Sequence, residues 1–244
     1  MIPLVAVAHG SRDPRSAATV RALVDLVRDR SGLDVRAAFL DLSEPHLLDV
    51  LRELHGEGHR RAVVAPLLLG RAFHARVDLP ALLEQARAEL PMSVSVADVL
   101  GGSPLLEAAA LRRLADAGVE PGMSDTGVVL AAIGSSHGPA NDKVVAVARR
   151  WAGRHGWAGV EAAFATAAAP DVPTAVARLR ARGARRIAVA SWFLAPGLLP
   201  DRVTALATAA DERAIIAPPM GAAVEIADLV LQRYTAALDL AKIA

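Results

Sequence analysis

The feature that most limits what this chain can fold into is that it is written twice. Sliding the second half back by 125 positions lays "GHRRAVVAPLLL" (58–69) on "GARRIAVASWFL" (183–194) without a gap. The same shift lays "RAAFLDLSEP" (36–45) on "EAAFATAAAP" (161–170) and "HGSRDPRS" (9–16) on "GSSHGPAN" (134–141). Gly58/Gly183, Arg60/Arg185, Arg61/Arg186, Phe39/Phe164, Pro45/Pro170, Ser11/Ser136 and Pro14/Pro139 then coincide. One offset held from the first apolar run through the third marks an internal duplication. Two units of roughly 100–120 residues are each long enough to close a core.

Within each unit, short Val/Ala/Leu runs alternate with longer stretches of helical period. The runs predict strands at 3–8, 34–39, 61–68 and 94–97, then at 128–133, 160–164, 186–193 and 214–217. Helices are expected near 15–29, 45–56, 78–89 and 103–117, and again near 140–154, 171–182, 200–210 and 222–238. That alternation is the pattern of βαβ units feeding a parallel sheet. Gly, Pro and small polar residues crowd "DAGVEPGMSDTG" (116–127), which sets the expected domains at 1–122 and 123–244. The expected fold class is α/β: two similar domains, each a small parallel sheet flanked by helices, with a cleft between them.

Composition removes several functions. With no cysteine, disulfides, thiolate zinc sites and cysteine-ligated clusters are excluded, so any metal must be held by His, Asp, Glu, main-chain oxygen or water. A net charge of +1 and 3% aromatic residues give no footprint for nucleic acid. The start "MIPLVAVAHG" lacks the basic region and apolar length of a signal peptide, and no run of 18 apolar residues is present. The expectation is a cytoplasmic protein without nucleic-acid or membrane partners.

The differences between the copies say more than the matches. At the common offset His9 faces Gly134, Glu44 faces Ala169 and His74 faces Leu199. None of the three is therefore needed to build the fold. His9 ends the first predicted strand, Glu44 lies just past the second in "FLDLSEP", and His74 follows the third after "LLLGRAF". All three emerge on the carboxyl edge of one sheet, where doubly wound folds build their sites. Two imidazoles and a carboxylate suit a divalent first-row ion such as Fe²⁺, Co²⁺, Ni²⁺ or Zn²⁺, and they serve equally as proton acceptors near neutral pH.

These residues carry a resemblance. "VAVAHGSRDPRS", "FLDLSEPHL" and "VVAPLLLGRAFHARVDLP" resemble the class II tetrapyrrole chelatases of the CbiX/SirB sirohydrochlorin type, in their long two-domain form. The series HGS…EP…PLLL…H-x-R-x-D-[LI]-P carries it, and the likeness covers nearly the whole chain. It implies that the N-terminal half holds the site, that His9, Glu44 and His74 serve metal and catalysis, and that the second half is a degenerate copy. The implied reaction is ATP-independent insertion of Fe²⁺ or Co²⁺ into sirohydrochlorin, in sirohaem or cobalamin biosynthesis. The metal is then a substrate, and no permanently bound cofactor is expected.

The expected chemistry follows from that substrate. Metal insertion is slow because a flat macrocycle hides its lone pairs, holds its pyrrole protons, and meets a metal reluctant to shed water. His9 and His74 are expected to deliver metal and accept protons, and Glu44 to orient a histidine, share a proton or ligate directly. Both tasks need neutral imidazole, so activity is expected to fall as pH drops through the histidine range. The rim carboxylates need cations, for which Arg12, Arg71 and Arg76 are the candidates. The Gly10–Ser11 turn is expected to add main-chain N–H donors, and Asp13 and Asp78 to act as caps or ion-pair partners.

Other features read as structural. His46, His55 and His59 cluster in "HLLDVLRELHGEGH", but Gly56 and Gly58 break the helix between the last two, leaving imidazoles near a helix C-terminus. His137 decorates a turn opposite Arg12, Trp151 and Trp157 pack a helix end, and "GGSP" (101–104) is a turn in which Ser103 caps a helix. A metal or tetrapyrrole carrier without turnover is the competing function, and a mutase or isomerase with a histidine base is the weaker third. Two fused copies replace a homodimer of single ones, so a monomer is expected.

Overall fold

The computed structural model describes residues 1–70 and 78–243. Each half of the chain builds a four-stranded, all-parallel sheet. In the first, β1 (Leu4–Ala8), β2 (Val35–Phe39), β3 (Arg61–Pro66) and β4 (Ser93–Val96) lie in the order β2-β1-β3-β4. In the second, β5 (Thr126–Ala132), β6 (Gly159–Phe164), β7 (Arg186–Ser191) and β8 (Ile215–Ile216) repeat it as β6-β5-β7-β8. The helices between them are α1 (Pro14–Ser31), α2 (Leu47–Gly56), α3 (Leu79–Glu89), α4 (Pro104–Asp116), α5 (Gly138–Arg154), α6 (Val172–Ala181), α7 (Leu198–Ala210) and α8 (Val224–Ile243). The α/β reading and the duplication are both observed. β8 keeps only two of the residues expected at 214–217, and α8 runs beyond the expected 238.

Helices cover both faces of each sheet, which is why the central strands are unbroken apolar runs rather than alternating ones. All residues of β1 (LVAVA) and β5 (TGVVLAA) are buried. On one face of the first sheet, Val5, Val7, Ala38 and Val64 pack with Leu47, Leu51 and Leu54 of α2 and Leu79 and Leu83 of α3. Each such leucine contributes roughly 1.5–3 kcal/mol by leaving water. α1 is punctuated as its sequence directs: Asp13 is the N-cap, Pro14 opens the first turn, and Gly32, in the left-handed region, donates to Arg28 O to close it.

The register of the repeat needs one correction. Leu40 N–H donates to Ala8 O, and Ala165 N–H to Ala132 O. Asp13 and His137 are the equivalent N-caps. The first strand, its loop and the cap are therefore related by 124 residues, and the second and third strands by 125. One residue more separates β5 from β6 than separates β1 from β2, so a single uniform offset cannot fit both. His9 consequently corresponds to Ile133, not Gly134, and Gly10 is the true counterpart of Gly134. His137 corresponds to Asp13 rather than Arg12.

The compact units also divide differently from the expected 1–122 and 123–244. One unit is Met1–Leu106 with Ala222–Ala244, the other Glu107–Gly221. Each takes its last helix from the other half of the chain. In the first unit, α8 is tied down by Tyr234 Oη donating to Ile2 O at 2.7 Å and by the Arg30–Asp228 ion pair at 2.6 Å. In the second, Glu107 of α4 accepts from Trp151 Nε1 at 3.0 Å and pairs with Arg150 at 2.5 Å. The linker composition at 116–127 marks a turn between α4 and β5, and the helix before it has already joined the second unit.

Candidate active site

In the order β2-β1-β3-β4, the chain winds outward in both directions from the gap between β1 and β3. That gap is the topological switch point, where adjacent loops part and leave a crevice at the carboxyl ends. His9 is the first residue beyond β1 on this edge and is half-buried. Its carbonyl accepts from Asp41 N–H at 2.9 Å, so the loops after β1 and β2 are joined one step past the sheet.

Gly10 makes that joint possible. Its φ is +97°, and a Cβ there would lie 1.7 Å from Asp41 O. Only glycine fits both the conformation and the approach. Beyond it, Ser43 Oγ accepts from Ser11 N–H at 3.1 Å and donates to Ser11 O at 3.0 Å. Ser11 Oγ in turn accepts from Asp13 N–H at 3.1 Å, and Asp13 caps α1 by accepting from Arg15 N–H at 2.9 Å. Hydrogen bonds from the Arg15 side chain and amide hold the Asp13 carboxyl below the usual range. The Ser11 amide, expected as an anion donor, is thus engaged by Ser43.

Glu44 follows Ser43 and is exposed. Its main-chain oxygen accepts from Arg21 Nη2 at 2.9 Å, and the same guanidinium lies 5.9 Å over the Phe39 ring. His9, Gly10, Ser11 and Glu44 are therefore gathered on one edge, with the Ser11–Ser43 bonds drawing the loop of Glu44 against that of His9. Arg12 is exposed beside them, and no ion pair among the described residues uses it. Arg71, His74 and Arg76 lie outside the described residues; the chain can be followed from β3 through Leu67, Leu68 and Leu69 to Gly70 on the same edge. Asp78 stands at the N-cap of α3 without a side-chain cap bond.

Asp41, Ser43 and Arg21 were not singled out from sequence. A signal existed for two of them: at the corrected register Arg21 is replaced by Val145, and Ser43 by Ala168. The second copy solves the loop by other means, with Asn141 Oδ1 accepting from Ser135 N–H at 2.9 Å and Nδ2 donating to Ser135 O at 2.7 Å.

A second set of ligand-type groups sits at the opposite, amino-terminal edge. Asp34, Glu57 and His59 bring ligand atoms within 4.8 Å of one another. Arg36 already bridges the two carboxylates, donating to Asp34 at 3.1 Å and bonding Glu57 closely, so a cation is built into the cluster. Hydrogen bonds to Glu57 and Asp34 raise the Arg36 pKa, and the Arg36 bond holds Glu57 low. Other structural readings made from sequence hold. Gly56 ends α2, Ser103 Oγ accepts from Leu105 N–H at 3.2 Å at the start of α4, and Trp151 and Trp157 stack edge-on at 6.2 Å.

Comparison with known proteins places this geometry in context. The CbiX family model matches residues 3–117 and again 127–237, which is the duplication seen in the fold. Among curated relatives, a sirohydrochlorin cobaltochelatase of Priestia megaterium is 27% identical over 207 residues, covering 81% of this chain and 65% of the relative. A sirohydrochlorin ferrochelatase of the same organism is 23% identical over 201 residues, covering 81% of this chain and 74% of the relative. The chain thus spans a little under two thirds of the length of the first relative. Among solved structures, SirB from Bacillus subtilis with Fe³⁺ shares the fold with a TM-score of 0.79, 21% identity and coverage of 96% of this chain and 95% of that one. A CbiX structure, from the biosynthesis of sirohaem in denitrifying bacteria, does so with a TM-score of 0.67, 20% identity and coverage of 97% and 99%. With two matching segments that together take in nearly all of its length, the chain belongs to the CbiX family.

Proposed function

We propose that this chain inserts a divalent metal, Fe²⁺ or Co²⁺, into sirohydrochlorin without ATP, acting as a cytoplasmic monomer. One observation carries the reading: in a chain of the CbiX family, His9 and Glu44 follow neighbouring strands on the carboxyl edge of one copy's sheet, while Ile133 and Ala169 take their places in the other. The curated relatives with cobalto- and ferrochelatase names support the substrate class.

In this reading His9 presents a neutral imidazole at the open edge, able to hold the entering metal or to take a pyrrole proton. Glu44, whose main chain is fixed by Arg21, supplies a carboxylate to the same task. His74 completes the set, and Arg12, Arg71 and Arg76 meet rim carboxylates. Binding energy from those rim contacts is available to bend the ring toward the metal, where it lowers the barrier rather than merely tightening the ground state.

The test is anaerobic insertion into sirohydrochlorin, with Fe²⁺ and Co²⁺ run side by side, for the wild type and His9→Ala. Conversion of the absorbance bands to the metallated pattern by the wild type, and its loss in the variant, is the expected result. Bands that only shift on binding would overturn the reading in favour of a carrier. Light scattering of the purified chain checks the monomer.

A further inference from the structure

The helices that each unit takes from the other half of the chain carry one arginine at equivalent positions. α4 and α8 are related by 120 residues, Pro104 matching Val224 and Arg113 matching Arg233. Each reaches the turn between the last strand and the helix that follows it. Arg233 Nε donates to Val99 O at 2.9 Å, with Nη2 at 3.5 Å from Gly101 O. In the second unit Arg113 donates from Nε and Nη2 to Met220 O at 3.1 and 2.9 Å. A planar guanidinium with several donors suits carbonyls clustered at a turn, which a point-charged ammonium serves less well.

The turn that Arg233 holds lies directly against the segment following β3. Leu100, between the two clamped carbonyls, donates its N–H to Leu68 O at 2.9 Å. Gly101 approaches so closely that a Cβ there would be 2.3 Å from Leu69 O. Leu67 N–H, in turn, donates to Val7 O at 2.8 Å, two residues before His9. A continuous set of contacts therefore runs from α8 through Val99–Gly101 to Leu67–Gly70, the far wall of the switch-point crevice that His9 borders.

We infer that Arg233 is a positioning residue for the N-terminal site: from the far end of the chain it fixes the segment after β3 opposite His9. The inference rests on the proposed chelatase reading for its catalytic consequence, not for its structural one. Arg113 is the built-in control, since it performs the same clamp in the unit that lacks His9 and Glu44 equivalents.

The experiment compares Arg233→Gln, Arg233→Lys and Arg113→Gln in the full chain by native-state hydrogen exchange and by metal insertion. Arg233→Gln is expected to speed exchange of the Leu100 amide about tenfold or more while leaving the Met220 amide, which donates to Phe193 O, unchanged; Arg113→Gln does the reverse. With sirohydrochlorin, kcat is expected to fall about tenfold in Arg233→Gln with KM within about twofold, because misplacement by even about 1 Å is costly. Arg233→Lys recovers part of the loss, and Arg113→Gln keeps wild-type kcat at a comparable loss of Tm. An unchanged Leu100 amide in Arg233→Gln overturns the inference, as does an equal fall in kcat in both Gln variants. If the wild type inserts no metal, the chelatase reading fails on its own and the exchange result still decides whether Arg233 positions the segment.

Discussion

The main-chain amide of Asp41 donates to the carbonyl of His9 across 2.9 Å, beyond the last residues of β1 and β2. In the second copy Thr166 makes the same bond to Ile133 O at 2.9 Å. The joint is thus a property of the fold, and only the side chain it presents differs, imidazole in one copy and a half-exposed isoleucine in the other.

The joint predicts a specific sensitivity to any side chain at Gly10. An added methyl would sit 1.7 Å from Asp41 O at a φ of +97°. Gly10→Ala is expected to cost at least about 2 kcal/mol, from backbone strain and from the displaced loop. Gly134→Ala meets Thr166 O at 1.9 Å and should cost a similar amount. Urea unfolding checks both; insertion assays on the folded fraction should show loss for Gly10→Ala only.

Ser43 and Asn141 close the equivalent loops with different chemistry. Each accepts one amide and donates to one carbonyl of a single serine, Ser11 or Ser135. Removing either side chain leaves two half-buried groups to water, so Ser43→Ala and Asn141→Ala should each cost about 1 kcal/mol. The two part company in the assay. Ser43 tethers the loop of Glu44, so its loss should slow metal insertion several-fold, whereas Asn141→Ala should leave the rate near wild type.

Much of this was legible in the sequence because buried central strands must be apolar along their whole length, so "LVAVA" and "VVLAA" announce themselves. His9 and Glu44 stood out because the second copy lacks them. The register slip was not legible, since matching Ser11 to Ser136 and Pro14 to Pro139 scores well while the hydrogen bonds equate Ser11 with Ser135. Nor was the sharing of helices: α8 reads as a continuation of its own half, and it takes the bonds of Tyr234 to Ile2, of Arg233 to Val99 and of Asp228 to Arg30 to reveal where it packs. Long-range partners of that kind leave no local pattern.

The amino-edge cluster should be inert toward the reaction. Asp34 and Glu57 already hold Arg36 as their cation, with His59 beside them, and the cluster lies at the other end of the strands from His9. Asp34→Asn and His59→Ala are therefore expected to keep insertion rates within about twofold of wild type and to change stability by under about 1 kcal/mol. Rates measured with Co²⁺ and Fe²⁺ check this; a loss comparable to His9→Ala would shift the metal site to the amino edge.

Tyr234 gives the molecule a pH dependence that can be read without ambiguity, because it is the sole tyrosine and there is no cysteine. Its hydroxyl donates to Ile2 O at 2.7 Å, and burial pushes its pKa above the ordinary 10.0. A raised value in the folded state means that folding favours the protonated phenol. The stabilisation is complete below the ordinary tyrosine pKa and is lost as pH rises through the folded value, where the phenol can ionise only at the expense of its buried setting. The wild type should therefore lose stability between about pH 9 and pH 11 more steeply than Tyr234→Phe, which has no proton to lose there. At neutral pH the phenylalanine variant should be less stable by about 1 kcal/mol, the Ile2 carbonyl having lost its donor. Denaturant midpoints across that range, with the near-ultraviolet tyrosinate absorbance followed in parallel, test both signs at once: parallel alkaline limbs for the two proteins would show that the contact between α8 and the start of β1 does not depend on this proton.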